Sequence, residues 1–228
     1  MLLTKFLLRL LVSCVFIVSV LTPTTFADDD LPSLNNSSSS AFSSTTSFSL
    51  DIDHDQKLPP HPLAIPNNTP TPNEGYRWVN QRVYIYMDTD NPKIKKAFRT
   101  AVKAWNKPQI VKLIWTDHRS NANVIVNSGD LSSSASQPNV GYVTSQLGST
   151  QTSYNPDYHT MIKATSTLDA NQLAYVNDQF RAHVAEHELG HALGLAHAPE
   201  YEHSVMVPRN IRTGITKQDI KTLRMMYR

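Results

Sequence analysis

The sequence predicts one α+β domain of ordinary size behind an N-terminal signal and a low-complexity leader, and three stretches carry that expectation. An apolar run, Val83 to Met87, is followed by a helix-spaced one, Ile94 to Trp105, and then by two more short apolar runs. A second helix-length segment opens near Asn177 or Asp178 and runs into His187-Glu188-Leu189-Gly190-His191. A third opens behind Thr216, where Thr216 and Asp219 are spaced as a capping box and Ile220, Leu223 and Tyr227 follow.

Taken in order, residues 1–27 have the layout of a secretory signal peptide. The start is basic, an apolar stretch runs to Leu21, and small residues at Thr25 and Ala27 precede an acidic run. Export is therefore expected, with the mature chain secreted or held at the cell surface and not inserted in a membrane. Cys14 is the only cysteine, so the mature chain would have no disulfide and would depend on its core and any metal. Loss of Lys5 and Arg9 with the signal leaves the 19 acidic residues balanced by as many basic ones. That balance gives no reason to expect nucleic acid as a partner.

Residues 28–75 read as a Ser/Pro-rich leader, either a linker or an inhibitory propeptide, because its composition cannot build a core. The domain is expected over 76–228. Val83 to Met87 is apolar at consecutive positions, which predicts a strand buried on both faces. Asn91-Pro92 supplies a cap and a first-turn proline for an amphipathic helix that buries Ile94, Ala97, Phe98, Ala101, Val102 and Trp105. Val111 to Trp115 and Asn123 to Asn127 read as strands, as do Val140 to Thr144 and Thr160 to Thr165. The rest of 128–159 is rich in Ser, Gly and Asn and reads as loop.

The chemistry lies in HELGHALGLAH, His187 to His197. On a helix, His187 and His191 are about one turn apart and face the same way, so one metal ion can sit against both. Glu188 lies where a carboxylate can reach a metal-held water without being a ligand, the place of a general base. Gly194 can take the left-handed conformation that ends a helix, and the returning chain then delivers His197 as a third ligand. Three imidazoles with an open fourth position describe a catalytic zinc site, since structural sites are closed by four protein ligands. The five fixed positions match by chance on the order of once in ten million starts. His183 and His203 are expected to be bystanders.

This motif, followed by Ser204-Val205-Met206-Val207-Pro208, resembles the metzincin zinc endopeptidases and within them the matrixins, including the shorter bacterial ones. The resemblance implies a catalytic domain with a twisted mixed sheet, two long helices and a small C-terminal part holding a methionine turn and a closing helix. It implies Met206 beneath the three histidines, and a substrate pocket walled by Val184, Pro208, Arg209 and Asn210. It also implies a cleft-bordering strand, expected at Val140 to Thr144, along which an extended peptide would lie.

One catalytic zinc ion is expected. Between Thr116 and Val176 the only histidines for a second site are His118 and His159, with Asp117, Asp130, Asp157 and Asp169 as possible oxygen ligands, and no carboxylate run at calcium-loop spacing supports calcium. The function expected is a monomeric, secreted endopeptidase acting on a protein or peptide, including extracellular matrix. The alternatives are a non-catalytic zinc-binding surface module, which would not need Glu188, and a zinc amidase acting on cell-wall peptide.

Overall fold

The computed structural model describes residues 58–131, 146–208 and 213–228. Five strands form one sheet in the order β2-β1-β3-β5-β4. They are β1 (Arg82–Asp88), β2 (Lys112–Trp115), β3 (Val124–Gly129), β4 (Gly148–Asn155) and β5 (Thr160–Asp169). The pairings β1 with β2, β1 with β3, and β3 with β5 are parallel; β4 runs antiparallel to β5 at the sheet edge. The helices are α1 (Pro92–Asn106), α2 (Asp178–Ala192) and α3 (Lys217–Tyr227). Among the described residues no helix is long and apolar enough to cross a membrane.

Helix α1 forms where its spacing predicts. The Asn91 side chain accepts from the N–H groups of Lys93 and Ile94, Pro92 occupies the first turn, and the six expected apolar residues are all buried. That face packs on α2 and on the sheet, where Val83, Ile85, Val124, Val126 and Leu168 supply the opposite wall. Burying the four large ones, Ile94, Phe98, Val102 and Trp105, at roughly 1.5–3 kcal/mol each supplies far more than helix propensity does.

Strand β1 departs from expectation. Val83 and Ile85 are fully buried but Tyr84, between them, is 38% exposed, so β1 is covered on one face and not on both. Consecutive apolar letters do not distinguish a two-sided strand from a one-sided strand whose outer positions are tyrosines, because tyrosine tolerates a wet hydroxyl. Strand β4 went unseen in the sequence. GSTQTSYN has no buried apolar residue, and its hydrogen bonds to β5 are what make it a strand. Val140 to Thr144 lie outside the described residues.

Helix α2 is buried nearly all round, flanked by α1, β4 and β5. Its last carbonyls accept from side chains: Trp78 Nε1 donates to Ala192 O at 2.8 Å and Tyr227 Oη to Leu193 O at 3.0 Å. These are groups that a helix C-terminus leaves without intrahelical partners. Phe180 is only partly buried, whereas Val184 and Ala192 lie wholly in the core.

Candidate metal centre and cleft

Asn177 caps α2 by accepting from Phe180 N, which sets the register that puts His187, Glu188 and His191 in its last turns. Leu195 N donates to Gly190 O at 3.0 Å and Gly194 N to His191 O at 2.9 Å, the paired bonds of a Schellman ending. Gly194 has φ +90, and a Cβ there would collide with Tyr76 O. The helix stops and the chain turns back at the one residue that can do so without strain. The returning segment is held by residues just ahead of the domain: Asn73 bridges Leu195, Glu74 N donates to Gly194 O and Ala196 N to Pro72 O, both at 2.9 Å. His197 arrives beside the other two imidazoles.

His187, His191 and His197 each offer a ring nitrogen, and these lie within 4.8 Å of one another. His187 Nε2 and His197 Nε2 are 3.3 Å apart. Tetrahedral zinc bonds of about 2.0–2.1 Å put neighbouring nitrogens roughly 3.3–3.4 Å apart, so the spacing fits the ion. The far sides of two rings are occupied by carbonyls: His187 Nδ1 is 2.7 Å from Val205 O and His191 Nδ1 is 3.0 Å from Leu195 O. A carbonyl only accepts, so each Nδ1 carries the proton and each Nε2 lone pair turns inward. Burial, with His191 adding to it, holds His187 at about 3 and His197 at about 4. Both rings are therefore neutral ligands at pH 7.

Glu188 is 5% exposed, and burial pushes its carboxyl above the usual range, partly offset by His191 and by a hydrogen bond from Thr150. Thr150 Oγ1 donates to Glu188 Oε2 at 2.7 Å. Gly148, two residues earlier on β4, has no Cβ because one would strike the Glu188 carboxylate. Sequence reasoning missed both residues: they sit in a stretch with no periodic signal, and only the β4 pairing brings them to α2.

The cleft around the histidines is lined along one side by Leu147, Gly148, Ser149, Thr150 and Thr152, and elsewhere by Glu74, Tyr76 and Pro208. Among the described residues the strand bordering it is β4, Gly148–Asn155; Val140 to Thr144, where such a strand is expected, lie outside them. Of the expected pocket wall, Pro208 lines the cleft and Val184 is fully buried one turn before His187. Arg209 and Asn210 lie outside the described residues. Met206 is fully buried against Gly190, under the motif helix.

Asp219, at the start of α3, ties this region together. It accepts from Ser204 Oγ at 2.5 Å, from Val205 N at 3.1 Å and from Thr71 Oγ1 at 2.7 Å. Val205 is the residue whose carbonyl holds His187. A larger depression of about 860 Å³ between residues 65–75 and α3 gathers one imidazole, His159, and no carboxylate, so it offers no comparable chemistry.

The matrixin family model matches residues 76–228, and the chain belongs to the matrixin family. It is thus a metallopeptidase of the class that uses a catalytic zinc, and His187, His191 and His197 form the group that can hold it. No curated protein matches the chain. Two solved structures of myroilysin align at 11% identity and TM-score 0.43. One alignment covers 67% of this chain and 95% of that one; the other covers 68% and 87%.

Proposed function

We propose that this matrixin is an exported zinc endopeptidase in which Glu188 is the general base and acid. The observation that carries the reading is the placement of one buried carboxylate, held by Thr150, beside three imidazoles whose ring nitrogens converge. Zinc held there would supply a Lewis acid that polarises a carbonyl and makes water acidic near neutral pH.

Glu188 supplies what the metal does not, a site for the proton removed from water that can return it to the leaving amine. Burial makes that exchange feasible, since a carboxyl raised above its usual range is a better base than one in water. Thr150 keeps Oε2 in place and so fixes the orientation of the carboxylate. The outer edge of β4 carries backbone groups that pair with no strand among the described residues, and an extended peptide can complete the edge there. Pro208, which lines the cleft, favours an apolar side chain next to the cleaved bond.

The roles are separable by substitution. Glu188→Ala is expected to keep zinc and lose hydrolysis of casein by at least about a hundredfold, whereas His191→Ala loses both. Metal content measured beside activity on the same samples decides it. A Glu188→Ala protein that digests casein near the parent rate would overturn the assignment. Purified cell wall as a parallel substrate separates an endopeptidase from a wall amidase.

A further inference from the structure

The cleft holds a second carboxylate that proton transfer does not use. Glu74 lines it beside Tyr76 and Thr152, fixed by its own backbone bond to Gly194 O and by the Asn73–Leu195 bridge. Its side chain is 29% exposed. Glu74 Oε1 lies 3.5 Å from His191 Nδ1, but the single proton on that nitrogen has a nearer acceptor, Leu195 O at 3.0 Å. Among the described residues the ligand group contains no carboxylate, so Glu74 is not a fourth ligand.

No lysine or arginine occurs among the described residues that line the cleft. Glu74 therefore presents a carboxylate to whatever enters, with no cationic side chain beside it among the described residues of the cleft. The wall beside it is rigid: Tyr76, 8% exposed, stacks on Tyr154 with ring centroids 4.2 Å apart and its hydroxyl meets Thr152 Oγ1 at 2.8 Å.

We propose that Glu74 is a specificity-determining residue, selecting substrates that place a cationic group, a Lys or Arg side chain or a free amino terminus, against the Glu74–Tyr76–Thr152 end of the cleft. The proposal rests on the endopeptidase reading of the site. A partly exposed carboxylate–cation pair favours the matched substrate by roughly fivefold.

The test uses the zinc-loaded full chain and fluorogenic peptides identical except at one scanned position, carrying Lys, norleucine or Glu, each with free and acetylated amino termini. The parent should cleave the Lys peptide about fivefold better than the norleucine one, through KM, at one scanned position. Glu74→Gln should remove that preference while zinc stays bound, and Glu74→Lys should turn it toward the Glu peptide. Sensitivity to acetylation instead of to the scanned Lys identifies an amino terminus as the cation. Calorimetric binding of the same peptides to zinc-loaded Glu188→Ala protein gives the preference without turnover. Absence of hydrolysis by the parent would thus count against the endopeptidase reading alone. A preference for Lys that survives Glu74→Gln, or no cationic preference in either assay, overturns the proposal. So does loss of zinc in Glu74→Gln, which would make Glu74 a positioning residue for His191.

Discussion

At the scale of single residues, the site depends on side chains that are absent as much as on those present. Gly148 leaves the space that the Glu188 carboxylate fills, and any Cβ must push that carboxylate away or move β4. Gly148→Ala should therefore keep the fold and the zinc while lowering kcat, and a misplacement near 1 Å costs about a hundredfold. Zinc content, thermal midpoint and kcat measured together check this; a drop in thermal midpoint matching the drop in activity would show a general loss of structure instead. Gly194→Ala is different in kind. It combines a left-handed backbone with a collision on Tyr76 O, so it should destabilise the whole domain by more than about 1 kcal/mol, visible in denaturant midpoint.

Between elements, carboxylates tie loops to the sheet and helices. Asp169, at the end of β5, is fully buried and accepts from the backbone N–H groups of Asn171, Gln172 and Leu131 and from the Gln172 side chain. Burial alone would raise its carboxyl, but those donors outweigh it and hold the carboxyl below 3.8. A carboxyl depressed in the folded state adds stability that is fully present above the unfolded value and lost as pH falls through the folded one. Stability should accordingly fall below about pH 4, and Asp169→Asn should lack the share of that fall that Asp169 contributes. The amide would also turn a donor toward Leu131 N, which should cost about 1–3 kcal/mol at pH 7. Urea unfolding of both proteins at pH 7 and pH 3, with chelator throughout, measures both effects; parallel pH profiles would refute the assignment. Asp219 does for the methionine turn what Asp169 does for β5, linking Thr71, Ser204 and Val205 through to the carbonyl that orients His187.

For the whole molecule, the metal is the natural cross-link. The chain's one cysteine, Cys14, cannot form an internal disulfide, while the three histidines come from α2 and from the segment returning behind it. Zinc at about a thousandfold over its dissociation constant would add about 4 kcal/mol to stability. For a domain of this size that is on the order of a 10 °C rise in thermal midpoint, lost on adding chelator. Scanning calorimetry with and without chelator checks it. Elemental analysis of the untagged protein should find one zinc per chain: His118 sits exposed before a short 3-10 turn, and His159 Nδ1 is directed to Gly75 O at 3.0 Å. Two tightly held ions, one of them surviving His191→Ala, would refute the single-ion expectation.

The sequence by itself determined what local spacing can determine. His187 and His191 share a helix face because they are four residues apart, Gly194 ends that helix because only glycine takes φ +90 cheaply, and Asn91, Asn177 and Thr216 cap helices by bonds that span three residues. Family membership was legible for the same reason, since its most specific motif lies within eleven consecutive residues. Tertiary structure alone decided which strand borders the cleft, because β4 carries no apolar period and exists through its register with β5. It also decided that Thr150 and Gly148 frame Glu188, that Thr71 bonds Asp219, and that Pro72, Asn73 and Glu74, read as leader, brace the segment carrying His197. Those contacts join residues 38 to 148 positions apart, and a side chain with several chemically equal partners along the chain finds its own only when the fold closes.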